Sequence, residues 1–198
     1  MHVLIIYGSK EGQTAKIAER IAQIIRKQGL QASAYAVKEL PAGFTTAAFD
    51  AAIVGGSIHM GHYPTHFREF VRNHRDWLNK VPSAFFTVCM AIHSQNPNER
   101  EEARNYGKHF IETTHWHPTL IDTFAGAVKY TQYNFMTRFI MKMITKREGG
   151  STDTLHDHEY TDWDSVARFT SRFLEEIDAT ARGYDTQRPN TASLKNPL

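Results

Sequence analysis

From its amino end the chain alternates short, solidly apolar runs with longer amphipathic stretches. His2–Tyr7 is such a run, ending at Gly8, the pattern of a strand buried on both faces. From Thr14 to Gln28, Ile17, Ile21, Ile24 and Ile25 recur at helical spacing among Lys16, Arg20 and Lys27, and Gly29 is placed to close that helix. Gln31–Val37 alternates weakly and predicts a second strand. Lys38–Phe49 is loosely patterned, and Pro41 and Gly43 limit any helix there to a short one. Ala51–Gly56 is a third buried strand. Pro64 suits a first helical position, and Phe67, Phe70, Val71, Trp77 and Leu78 mark the face that follows. Ala84–Ala91 is a fourth strand.

Asn96-Pro97-Asn98-Glu99 combines a capping asparagine, a proline at N1 and a glutamate at N3, so a helix begins there, with Ala103, Tyr106, Phe110 and Ile111 inward. Thr119–Ala127 is a fifth strand. Thr161-Asp162-Trp163-Asp164 opens a last helix that turns Trp163, Val166, Phe173, Leu174 and Ile177 inward. Residues 183–198 are polar and aperiodic, the composition of a disordered tail. Strands alternating with helices imply an α/β fold, a doubly wound parallel sheet covered on both faces. One domain over 1–182 accounts for the pattern, with one element outside the alternation, an insertion over 130–154.

Composition narrows the class. At 198 residues, 41% hydrophobic and 22% charged, the chain suits an ordinary globular domain. Its one cysteine, Cys89, excludes an intramolecular disulfide and a cysteine-rich zinc site. No signal-peptide layout precedes the first strand. The longest apolar stretch, Phe85–Ile92, is far below the roughly 18 residues of a spanning helix. A cytoplasmic protein is the expectation.

The net charge of +2 conceals a local excess, because Lys129, Arg138, Lys142, Lys146 and Arg147 cluster with no acidic residue among them. Concentrated charge of this kind suits a docking surface, and no nucleic-acid motif accompanies it. Taken as a helix, Phe135, Met136, Phe139, Ile140, Met143 and Ile144 cover about half the circumference at about 3.6 residues per turn. Arg138, Lys142 and Lys146 border that face at i, i+4 spacing. Such a helix either packs its apolar face into the core or lies in a membrane interface with its basic side chains reaching anionic headgroups.

Ligands of open parallel sheets bind beyond the carboxyl ends of the strands. The first such turn, Gly8-Ser9-Lys10-Glu11-Gly12-Gln13-Thr14, offers two hydroxyls, a glycine and a helix amino terminus, which suits a phosphate. It is neither a Walker A loop nor the dinucleotide fingerprint. The third strand exits through Ser57-Ile58-His59-Met60-Gly61-His62-Tyr63, where Ile58, Met60 or Tyr63 could cover a planar ring. The fourth exits through Val88-Cys89-Met90-Ala91. A phosphate loop beside two ring-facing loops outlines an FMN site.

Ser9-x-x-Gly12-x-Thr14 resembles the phosphate loop of the flavodoxin superfamily, except that Glu11 stands where a hydroxyl is usual, with its carboxylate expected to point away from the phosphate. Glu11–Thr14, Ile58–Tyr63, Pro82–Phe85, Ala125–Tyr130, Lys142–Ile144, Gly149–Thr154 and Tyr160–Trp163 further resemble the menaquinone-dependent protoporphyrinogen dehydrogenases (oxidases) of bacterial haem synthesis. The likeness extends to about Arg182. It implies a flavodoxin-like sheet in the order 2-1-3-4-5, non-covalent FMN, protoporphyrinogen IX as substrate and a membrane quinone as acceptor. It also implies peripheral association with the inner membrane, placed here through the anionic surface facing 133–147.

The candidate cofactor-binding residues are Ser9, Lys10, Gly12, Gln13, Thr14, Ser57, Ile58, His59, Met60, Val88, Cys89, Met90 and Ala91. The sequence identifies no catalytic acid or base. His59, His62 and His66 straddle a loop and a helix start with no carboxylate cluster, so no metal is expected. His115 and His117, around Trp116, read as structural. Two other functions share the fold: an FMN-dependent NAD(P)H:quinone reductase, and a flavodoxin-type electron carrier, against which the basic insertion argues.

Overall fold

The computed structural model describes residues 1–129, 131, 145–146, 151 and 153–186. Strands β1 (His2–Gly8), β2 (Gln31–Ala36), β3 (Ala51–Ser57), β4 (Ser83–Val88) and β5 (Leu120–Phe124) form one parallel sheet in the order β2-β1-β3-β4-β5. This is the expected doubly wound topology, with β1 and β3 paired from Val3–Ala51 to Gly8–Gly56. The order changes direction between β1 and β3, which opens a crevice at their carboxyl ends.

Helices α1 (Gln13–Lys27) and α4 (Trp163–Thr186) cover one face, and α2 (Thr65–Leu78) and α3 (Pro97–Thr114) cover the other. The first face is mainly aliphatic, because Ile17, Ile21 and Ile25 of α1 pack on Val3, Ile5 and Ile53; Phe169 joins it from α4. The second is largely aromatic: Tyr63, Phe67, Phe85 and Phe110 form a group of stacked and tilted rings with centroids 4.6–6.4 Å apart. Two polar groups are tethered inside that aromatic layer. Tyr63 Oη lies 2.7 Å from Thr87 Oγ1, and Trp116 Nε1 donates to Ser83 Oγ at 3.0 Å.

Several boundaries differ from the sequence expectation. β4 stops at Val88, and Met90–His93 forms a 3₁₀ turn instead of extending the strand to Ala91. β5 stops at Phe124. Past Gly126 the chain turns into β6 (Ala127–Val128), which pairs antiparallel with β7 (His158–Glu159). An apolar run alone does not distinguish one strand from two separated by a bend at Ala125-Gly126. Pro64 occupies the N-cap of α2, one position before N1. Asn96 caps α3 as expected, accepting from Asn98 N–H at 3.0 Å, but Glu99 accepts from Ser94 Oγ at 2.6 Å. α4 runs to Thr186, beyond the Gly183 at which the tail was expected to begin, and 187–198 lie outside the described residues. So does most of the insertion, including its expected amphipathic helix. Among the described residues no helix is long and apolar enough to cross a membrane.

Candidate functional site

The β1–α1 turn sits at the crevice. Gly12 adopts φ +86°, a left-handed conformation that lets Ser9–Gly12 fold back on itself before the helix starts. Gly12 N–H donates to Ser9 Oγ at 2.9 Å, so the Ser9 hydroxyl proton stays free to donate to a ligand. Gln13 and Thr14 begin α1 and are buried against the cavity wall. Thr161 Oγ1 donates to Ala125 O at 2.8 Å and accepts from Gln13 Nε2 at 2.9 Å, which fixes the orientation of the Gln13 amide. Gln13 Oε1 is left without a partner in a residue only 4% exposed. An orphaned acceptor lining a cavity is completed by a ligand donor, such as a hydroxyl.

A methyl group built on Gly12 would lie 3.5 Å from Lys129 Nζ. The side-chain direction at Gly12 thus faces a lysine carried in from the end of β6.

The β3–α2 turn works differently. His59 N–H bonds His62 O and His62 N–H bonds His59 O, both at 3.0 Å. Met60 (φ +49°) and Gly61 (φ +81°) occupy the two central positions, the dihedral signature of a type I′ hairpin turn. The turn holds Met60 98% exposed at the rim of the cavity. His59 faces inward, with Nε2 3.2 Å from Ser57 Oγ. Burial pushes the His59 pKa below its ordinary value, helped by Lys10 and opposed by the nearby Glu11 carboxylate.

These turns meet the β4 exit around one cavity of about 820 Å³. It brings together Ser9, Lys10, Gln13 and Thr14 from the first turn, Ser57, Ile58, His59 and Met60 from the second, and Val88, Cys89, Met90 and Ala91 from the third. Gly12 shapes the first turn without lining the cavity. Glu11 does line it, and acts electrostatically on His59. Tyr63 cannot cover a ring there: it is buried under the hairpin and bonded to Thr87, and burial holds its pKa well above the usual phenol value.

One wall escaped the sequence reading. Glu99, Glu102 and Tyr106 line the cavity from α3, and Tyr106 Oη donates to Glu102 Oε1 at 3.1 Å. Their i, i+3, i+7 spacing was a usable signal, but the apolar stripe drew Tyr106 into the predicted core. Among the described residues no group of three or more histidine, cysteine or acidic side chains is arranged to hold a metal.

A sequence model of the flavodoxin domain family matches residues 4–155. The protoporphyrinogen IX dehydrogenase [quinone] of Escherichia coli (strain K12) is 36% identical over 90% of this chain and 97% of its own length. A protein of the same name from Leishmania major is 32% identical over 86% of this chain and 73% of its own. Among solved structures, oxidised flavodoxin 1 from Bacillus cereus shares the fold, with a TM-score of 0.54 at 16% identity, covering 88% of this chain and 98% of that one.

Proposed function

Since the chain belongs to the flavodoxin domain family, we propose that it binds FMN in this cavity and oxidises protoporphyrinogen IX, in haem synthesis, with a membrane quinone as acceptor. The observation that carries this reading is the similarity to dehydrogenases of that name along nearly the whole chain. The residues present fit the cofactor. Ser9 Oγ, the Gly12 turn and the amino end of α1 suit its phosphate, and the orphaned Gln13 Oε1 suits a hydroxyl of its ribityl chain.

Bound FMN supplies the capacity to take up two electrons from an organic substrate and release them to a quinone. The protein does the rest. Ile58, Met60, Val88 and Met90 give the cavity apolar surface for a ring system. His59, kept neutral near pH 7 by burial, provides a proton acceptor on the wall. Anaerobic stopped-flow absorbance tests the reading: protoporphyrinogen IX should bleach the flavin bands and menaquinone restore them. Bleaching by NADPH and not by protoporphyrinogen IX would favour the quinone-reductase alternative.

Access to a quinone requires the membrane. In the same reading, the protein works on the cytoplasmic side, with the basic stretch of 129–147 drawing it to the anionic surface of the inner membrane. Each basic side chain near such a surface adds about 1 kcal/mol of attraction. Replacing Arg138, Lys142 and Lys146 together by glutamine should reduce flotation with anionic vesicles and flatten its salt dependence. Equal flotation of both proteins at low and high salt would overturn the membrane assignment.

A further inference from the structure

A second cavity of about 190 Å³ opens between α2 and α3 and shares Gly61 and Tyr106 with the first. Its chemistry is the reverse of its neighbour's. Arg68 and Arg72, one turn apart on α2, face His62 from the hairpin and His109 and Thr113 from α3, over a floor of Tyr63 and Phe110. No carboxylate lines it among the described residues. Arg68 Nη2 donates to Thr65 Oγ1 at 3.2 Å, but its Nε is buried without a partner. With Arg68 and Arg72 lining the pocket and no carboxylate among its lining residues, a planar anion is the group that best completes it.

The charge facing the two cavities changes sign at Tyr106, from the carboxylates of α3 to the guanidinium groups of α2. Glu99 and Glu102 line the main cavity, Tyr106 stands at the border, and His109 and Thr113 line the side pocket. A carboxylate is therefore repelled from the first two turns of α3 and attracted beyond Tyr106. The helix dipoles contribute little, because the pocket faces the favourable amino half of α2 and the unfavourable carboxyl half of α3.

We propose that this pocket receives a carboxylate of the substrate that meets the flavin at the mouth of the main cavity. Resting on the function proposed above, that carboxylate is a propionate of the tetrapyrrole. Arg68 and Arg72 are then substrate-positioning residues. They orient the macrocycle so that its acidic edge passes Gly61 and Tyr106, while Met60 meets its apolar face.

Binding of the product, protoporphyrin IX, and of its dimethyl ester to the FMN-loaded full chain tests this without turnover. The original protein should bind the diacid more tightly than the ester. Arg68→Met/Arg72→Met should raise the Kd of the diacid at least about tenfold and leave that of the ester within about twofold, with FMN content unchanged. Arg72→Met alone alters only an exposed side chain and should raise the diacid Kd about threefold. If the double variant binds both ligands as the original does, the pocket assignment is overturned and the function stands. Equal loss of both ligands would make the arginines structural and also overturn it. If the original protein binds neither porphyrin, the proposed function fails along with the pocket.

Discussion

The β1–α1 and β3–α2 turns leave adjacent strands at the same sheet edge, and both depend on left-handed backbone, yet they present opposite chemistry. The first turns inward on itself through Ser9 and Gly12 and offers hydroxyls and a helix amino terminus. The second closes as a two-residue hairpin and pushes a fully exposed methionine over the cavity rim. Their supports differ as well. The first is tied to the end of the chain by Gln13–Thr161 and by Lys16–Glu159 at 3.0 Å. The second closes on its own pair of backbone bonds and is tied to β4 by Ile58 N–H donating to Val88 O at 3.0 Å and by Tyr63–Thr87. A charged end and an apolar body of one ligand can thus be held by neighbouring turns that are stabilised independently.

That independence can be broken most sharply at Gly12. Gly12→Val forces a β-branched residue to φ +86°, a strain of about 2 kcal/mol, and should raise the FMN Kd about 30-fold in a fluorescence titration. Gly12→Asp should also weaken FMN binding strongly, because its carboxylate would stand at the phosphate and pair with Lys129, removing a cation from it, even though aspartate tolerates this backbone. Unchanged FMN affinity in a folded aspartate variant would remove this turn from the phosphate site.

Gly61→Val applies comparable strain to the second turn. Substrate KM should rise about tenfold, and FMN affinity should fall less than in Gly12→Val, because only the ring end of the cofactor meets this turn while the phosphate turn is held separately. A matching loss of FMN affinity would merge the two turns into one unit. Thr161→Val removes the acceptor of Gln13 Nε2 and the donor to Ala125 O, and should cost about 1–2 kcal/mol in urea unfolding. FMN affinity should fall several-fold, whereas the Met60 hairpin should be unaffected, as judged by the rate of methionine oxidation at Met60.

The smallest effect concerns protons. Since burial lowers the His59 pKa in the folded chain, the folded state favours the neutral ring more than the unfolded state does. Stability from this group is complete above the unfolded value of about 6.5 and is lost as pH falls through the lower folded value. His59→Gln should therefore flatten the decline in unfolding free energy below pH 6.5 and leave the value at pH 8 nearly unchanged. An unaltered slope would mean that the ring is not held neutral by its burial.

Periodicity in the sequence determined the alternation of strands and helices, the parallel sheet and the placing of three turns at one edge, because burying an apolar run on both faces leaves few other arrangements. Residue chemistry was enough to mark Ser9, Gln13, His59 and Met90 for one cavity, since each stands just past a strand end. The tertiary structure alone decided the α3 wall and the side pocket. Tyr106 belongs to an apolar stripe, yet it lines the border between two cavities. Arg68 and Arg72 look like the solvated face of α2 until α3 is laid beside them. Lys129 and Gly12, and Gln13 and Thr161, are likewise far apart in the chain and meet only when β6 and α4 dock. Local pattern reports which face of an element is apolar; which polar side chains two packed elements enclose between them depends on how those elements are set against each other, and that is a property of the folded chain.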